Sequence, residues 1–304
     1  MIFQNQERFD YPPKGIDLIR PRFNHLLKNI KIRILVFYIQ AIPMKHDKIQ
    51  KSITAYLCRY ISLMPARLDF MQSLTGLILA LFITAHLLFE ASIIISKDAM
   101  LAVTKLFEGY YFFGEAYPGI ISFLAAFIFI VLILHALMAV RKLPSSYRQY
   151  HLFKKHSLQF QHNDTTLWIY QAVTGFMMFF LAPIHLYMMM TQPANIGPYA
   201  SADRIYSDWM WPLYLLLLIS VVFHAAIGLY RLAMKWGIFT SSHNHKQTKK
   251  NRHLIKKIML IGIVVYLCIG LLSLANYMMI GYDHKDKAGE RYHPVEIHSM
   301  EILK

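Results

Sequence analysis

Four of the 15 histidines in this 304-residue chain fall inside long apolar stretches, one in each: His86, His135, His185 and His224. An ionisable ring at bilayer depth is costly, so four of them, one per helix, point to ligation of a haem or metal. Internal repetition says which belong together. The stretch carrying His86 reads Gln72-x-x-Thr75-Gly76, with the histidine ten residues after the glycine. The stretch carrying His185 reads Gln171-x-x-Thr174-Gly175, with the same interval. His135-Ala136 and His224-Ala225 each lie six or seven residues before an arginine, Arg141 and Arg231, that ends the stretch. Ala139 and Gly228, one turn along the same faces, leave room for a flat macrocycle. Two opposed imidazoles at each of two depths fill both axial positions of a low-spin b-type haem and leave no open site for oxygen. A dinuclear metal site would instead call for several carboxylates among the histidines, and only Glu90 lies within a stretch. Two haems stacked across four helices make a transmembrane electron wire.

The elements that must hold these rings are five apolar stretches, residues 70–96, 118–140, 166–190, 209–230 and 258–280. Each is long enough to cross a bilayer as a helix, which takes about 20 mostly apolar residues. The expected fold is an all-α membrane protein with five transmembrane helices, the first four forming the haem-binding bundle. Charged residues make up only 16% of the chain and hydrophobic residues 56%, which excludes a soluble globular domain and a disordered chain. A transmembrane barrel would alternate polar and apolar residues. The formal charge of +15 is a topology signal and needs no nucleic acid. Lysine and arginine total 25 in alternate non-spanning segments beginning with the N-terminus and 7 in the others. The positive-inside rule therefore puts the N-terminus and the 141–165 and 231–257 loops in the cytoplasm. The 97–117 and 191–208 loops and the C-terminal tail face the periplasm of a bacterial inner membrane. Cys58 and Cys268 are too few for a disulfide framework or a four-thiolate cluster, and no C-x-x-C-H run exists for covalent haem attachment. No glycine-rich nucleotide loop is present either. Four regions follow: an N-terminal extension over 1–43, a cytoplasmic segment over 44–69, the five-helix domain over 70–282 and a periplasmic tail over 283–304. The extension holds a short apolar run, Ile34–Ile39, and no small-residue cleavage site; translation is expected to begin near Met44.

Blocks of sequence extend the reading. Met64-Pro-Ala-Arg-Leu-Asp69, Ser122-Phe-Leu-Ala-Ala-Phe127, Asp164-Thr-Thr-Leu-Trp168, Met189-Met-Thr-Gln-Pro193, Trp209-Met-Trp-Pro-Leu-Tyr214 and Gly228-Leu-Tyr-Arg-Leu-Ala233 together resemble the five-helix, di-haem cytochrome b subunit of bacterial menaquinol:fumarate reductase, in the succinate:quinone oxidoreductase superfamily. The match runs from about Met64 to Phe239 and continues weakly through the fifth span. The resemblance implies a subunit that oxidises menaquinol and anchors an iron–sulfur subunit and an FAD-containing flavoprotein that reduces fumarate, in a dimer of heterotrimers. It implies that His135 and His224 hold a proximal haem and His86 and His185 a distal one. Glu108 matches the family's quinol-site glutamate, suited to take a proton from a quinol hydroxyl. Gln72, Ser73, Trp168 and Lys235 match residues near haem propionates, and Arg204 matches a periplasmic arginine.

Two features depart from or add to the pattern. Familiar members carry a proton-relaying glutamate two residues before the fourth haem histidine, where this chain has Val222. An aliphatic side chain relays no proton. Glu90, four residues after His86, lies on the same helix face about 6 Å further toward the periplasm and is expected to pass quinol protons outward. The competing readings are a succinate:menaquinone oxidoreductase running in the opposite direction and the di-haem anchor of another respiratory dehydrogenase.

Overall fold

The computed structural model describes residues 47–144, 146–152, 163–238 and 245–294. The proposed extension over 1–43 and the start near Met44 lie outside the described residues, as does the end of the C-terminal tail. The helices are α1 (Asp47–Glu90), α2 (Ser92–Ile95), α3 (Lys97–Phe107), α4 (Tyr110–Phe113), α5 (Gly119–Val140), α6 (Asn163–Thr191), α7 (Pro198–Tyr206), α8 (Trp211–Lys235) and α9 (His245–His284). The chain divides into two units, 1–68 and 69–304. In the first, the described residues 47–68 are helical throughout. The second holds all the candidate site residues.

Among the described residues, five helical stretches are long and apolar enough to cross a membrane: Leu63–Ile95, Gly119–Val140, Thr166–Thr191, Trp211–Lys235 and Gln247–Lys287. Their central residues are those the apolar stretches marked; the first, fourth and fifth run several residues further at one or both ends because the helix continues into polar flanks, and the second and third agree within one residue. Lipid exposure is written on α5. Phe123, Phe127, Ile130, Leu134 and Leu137 recur every three or four residues and are all exposed, an outward apolar stripe that hydrocarbon covers.

Inside, α8 is the hub, packed against both α6 and α9. Its buried Leu218, Val221, Val222, Ile227 and Tyr230 join Met259 and Ile263 of α9 in one core cluster. Gly270 of α9 lies against the Leu218 side chain, where a β-carbon would collide. The Ser122 hydroxyl donates to the Met190 carbonyl at 2.8 Å and ties α5 to α6.

The segments read as loops from sequence carry short helices where α1 ends and α8 begins. The Ser96 hydroxyl caps α3 by accepting from the Ala99 N–H at 3.0 Å. Helix α7 packs so closely on α9 that a β-carbon at Gly281 would sit 2.7 Å from the Ala202 carbonyl oxygen. Beside it, buried Asp203 accepts from His284 Nδ1 at 3.0 Å and from the Gly289 N–H at 2.9 Å, and His284 stacks on Tyr199 with centroids 4.0 Å apart. The chain then crosses α3, where the Tyr292 hydroxyl donates to Asp98 at 2.7 Å; that bond pushes the Tyr292 phenol up to about 12. Asp203→Ala strands the buried His284 donor, at a cost of about 1–3 kcal/mol, and gives up the tie to the exposed Gly289 N–H. It is expected to lower the thermal midpoint in detergent and to expose the segment after His284 to protease.

Candidate functional site

One cavity of about 1180 Å³ runs between the helices of the second unit. Protein interiors hold few voids larger than a water molecule, and a pocket for one small ligand spans roughly 300–1,000 Å³. This one is larger and has histidines at two levels. His86 of α1 faces His185 of α6 with ring centroids 6.1 Å apart. His135 of α5 faces His224 of α8 at 6.4 Å. A metal–imidazole bond of about 2 Å, with about 1.2 Å more to each ring centre, puts two axial rings about 6.3 Å apart. Both pairs meet that spacing. Among the described residues no three or more His, Cys, Asp and Glu side chains converge as a metal site. Each pair thus offers two ligands, and the remaining donors must belong to the bound group, as a macrocycle's four nitrogens do.

The surroundings fix which ring nitrogen is free. His224 Nδ1 lies 2.9 Å from the Gln171 carbonyl, which only accepts, so Nδ1 carries the proton. The Thr174 hydroxyl donates to the Tyr170 carbonyl at 2.7 Å and lies 3.5 Å from the same Nδ1. In the other half, the Thr75 hydroxyl donates to the Met71 carbonyl at 2.8 Å and stands 3.1 Å from His135 Nδ1. Both rings are set as Nδ1–H tautomers with Nε2 free to ligate, the usual outer-shell arrangement of a metal-bound histidine. A β-carbon on Gly76 would lie 2.8 Å from the His135 ring, and one on Gly175 would lie 2.7 Å from the His224 ring. The repeated Gln-x-x-Thr-Gly motif is therefore the cradle of the neighbouring helix's histidine. At the other level, His185 Nδ1 lies 3.4 Å from the Tyr214 hydroxyl, and Phe82 stacks on His86 at 5.5 Å.

The two ends of the cavity are polar. Beyond His135 and His224, the wall includes Gln72, Ser73, Lys142, Trp168, Arg231 and Lys235. Lys235 Nζ donates to the Ser73 hydroxyl and the Asp69 carbonyl, both at 2.8 Å. Arg141 and Lys142 pair with the Asp69 carboxylate, and Arg231 donates to Gln171 Oε1. Gln72 Oε1 is buried without a hydrogen-bond partner; turning the amide would present its NH₂ to an anion. Lysines, an arginine and an orphaned amide at one rim fit the carboxylate edge of a haem. At the opposite end stand Arg204, only 7% exposed, and Glu90, whose Oε2 accepts from the Tyr277 hydroxyl at 3.0 Å. Arg204 therefore belongs with His86 and His185, apart from Gln72, Ser73, Trp168 and Lys235.

Glu108 caps the C-terminus of α3 and is not part of the cavity wall. Partial burial raises its carboxyl above the ordinary glutamate range, against the opposing positive charges of Arg291 and Lys105. Sequence reasoning did not single out Tyr214 or Tyr277, which carry no charge to make them stand out in a span. It used Thr75, Gly76, Thr174 and Gly175 only as a ruler of depth.

Known proteins share this sequence over most of its length. A family model described as "Succinate dehydrogenase/Fumarate reductase transmembrane subunit" matches residues 146–271. The fumarate reductase cytochrome b subunit of Wolinella succinogenes is 49% identical over 225 residues, covering 74% of this chain and 86% of that protein. The protein of the same description in Helicobacter pylori is 46% identical over 223 residues, covering 73% and 84%. With identity at that level across most of both partners, this chain belongs to the family of fumarate reductase cytochrome b subunits, multi-pass membrane proteins that carry b haem.

Proposed function

We propose that this subunit oxidises menaquinol on the periplasmic side and delivers the electrons across the inner membrane through two b haems. The receivers are an iron–sulfur subunit and the FAD-containing flavoprotein that reduces fumarate. The observation that carries the reading is the pair of histidine couples, 6.1 and 6.4 Å apart, in one cavity. Each haem, when bound, supplies a one-electron Fe(III)/Fe(II) couple. The protein supplies the rest. His135 and His224 would hold the proximal haem, and His86 and His185 the distal one. The Thr75 and Thr174 hydroxyls and the Gln171 carbonyl hold Nδ1, which leaves Nε2 free to ligate. Gln72, Ser73, Trp168 and Lys235 would meet the proximal propionates, and Arg204 a distal one. Two imidazoles on each iron would leave it no site for oxygen. Val222, 5% exposed, is aliphatic and relays no proton inward beside His224.

At Glu108 the carboxylate accepts a proton from a quinol hydroxyl. It must be deprotonated to do so, so menaquinol oxidation falls as pH drops through its pKa. Burial places that acid limb above the ordinary carboxylate range, and Arg291 draws it down. Arg291→Ala removes the opposing charge; the acid limb is expected to move to higher pH, read from menaquinol turnover across a pH series.

Redox-titrated absorbance of the purified complex tests the reading. Two haem transitions per subunit, both reduced by a menaquinol analogue and reoxidised by fumarate, are expected. A single transition, or haems that menaquinol does not reduce, would overturn it.

A further inference from the structure

Glu90 is a carboxylate inside a membrane span, and the haem ligands leave it unexplained. Three observations bear on it. It lines the same cavity as His86 and His185, together with Val103, Thr104 and Phe107 of α3. Tyr277 of α9, 3% exposed, donates to its Oε2 at 3.0 Å, and among the described residues no donor is assigned to its other oxygen. Phe89 and Phe107, the residues just before Glu90 and Glu108, meet edge to face with centroids 5.1 Å apart. The end of α1 that carries Glu90 and the end of α3 before Glu108 therefore meet at one aromatic contact, with Glu90 in the cavity wall and Glu108 just outside it.

A quinol has two hydroxyls and gives up two protons with its two electrons. We propose that Glu90 is a second proton-accepting residue of the quinol site, with Tyr277 as its positioning residue. The inference rests on the quinol-oxidising reading above. As each of the two O–H bonds of menaquinol breaks, one proton goes to a carboxylate oxygen, the first to Glu108 and the other to Glu90. The two electrons would leave singly to the haem that His86 and His185 would hold, as the two ring C–O bonds become C=O. Phe89, Phe107 and Val103 line the cavity with Glu90 and give the ring an apolar bed. The titratable and charged groups around Glu90 are Tyr277 from α9, Tyr214 from α8, Arg204 from α7 and His86 on its own helix. Tyr277 fixes one carboxylate oxygen by donating to it, and among the described residues no ion pair is assigned to Glu90.

The rival explanation is a structural tie between α1 and α9, and Glu90→Gln separates the two. Glutamine still accepts from Tyr277, so a tie survives, but it takes no proton. The experiment uses the intact complex and a menaquinol analogue. Glu90→Gln is expected to lower menaquinol kcat on the order of 10²-fold, with KM little changed and the distal haem spectrum retained. Glu90→Asp should restore part of the rate. A redox-induced infrared difference spectrum, recorded without turnover, should lose a carboxyl C=O signal in Glu90→Gln. Tyr277→Phe should shift that signal and the pH profile without removing either. Normal turnover with an unchanged infrared spectrum in Glu90→Gln would overturn the proposal. If menaquinol reduces neither haem in the parent complex, the quinol-oxidising reading itself fails.

Discussion

A His224→Ala subunit is expected to hold half the haem of the parent complex, and His135→Ala should lose the same half. His86→Ala and His185→Ala should each lose the other. Each substitution removes one of the two imidazoles that would hold a haem, and at His224 it also removes the bond from Nδ1 to the Gln171 carbonyl, which keeps the Thr174 hydroxyl as a donor. Haem per subunit by pyridine haemochrome, with the low-temperature spectrum of what remains, reads the result. Spectra that pair His86 with His224 would break the assignment. Gly175→Val gives the same answer by another route. It leaves all four ligands in place but drives a side chain into the His224 ring, which already lies 2.7 Å from where a β-carbon would sit. It should reproduce the His224→Ala spectrum and leave the His86–His185 haem intact.

Much of this was legible in the sequence because a membrane makes few demands and enforces them strictly. Apolar length alone marks the five spans, since every backbone group in hydrocarbon must be satisfied within a helix. The equal glycine-to-histidine interval in Gln72–His86 and Gln171–His185 places those rings at one depth, and the structure sets them opposite each other with centroids 6.1 Å apart. What the motif does locally was not legible. Thr75 and Gly76 serve His135, on a different helix, and which helices neighbour each other is a matter of packing that no interval within one helix encodes. Tyr277 was invisible for the same reason. A tyrosine in an apolar span is ordinary until α9 brings it to Glu90. The segments around Glu108 and Arg204 looked like loops, because α2 and α4 are single turns and α3 and α7 are amphipathic and far shorter than a span, so apolar length passes over them. Their order comes from caps and contacts such as Ser96 on Ala99 and Asp203 on His284.

Glu108→Gln is expected to abolish menaquinol oxidation, a loss on the order of 10²–10⁴-fold, while both haems and fumarate reduction from an artificial donor persist. The substitution keeps the size of the side chain. The hydrogen bond that fixes this turn, from the Tyr117 N–H to the Glu108 carbonyl at 2.8 Å, belongs to the backbone. The helix end should therefore stay in place and only the proton acceptor vanish. An artificial donor enters downstream of the quinol site, so electrons still reach the partner subunits. Glu108→Asp should recover part of the rate, with its acid limb displaced toward lower pH because aspartate is intrinsically the stronger acid. Wild-type turnover in Glu108→Gln would remove the residue from the chemistry and leave it as a helix cap. Loss of haem in that variant would mean instead that the carboxylate supports the bundle. The expected pattern, intact haems with no entry for quinol electrons, is the one that a proton acceptor at the mouth of an electron wire must produce, because a quinol that keeps its protons also keeps its electrons.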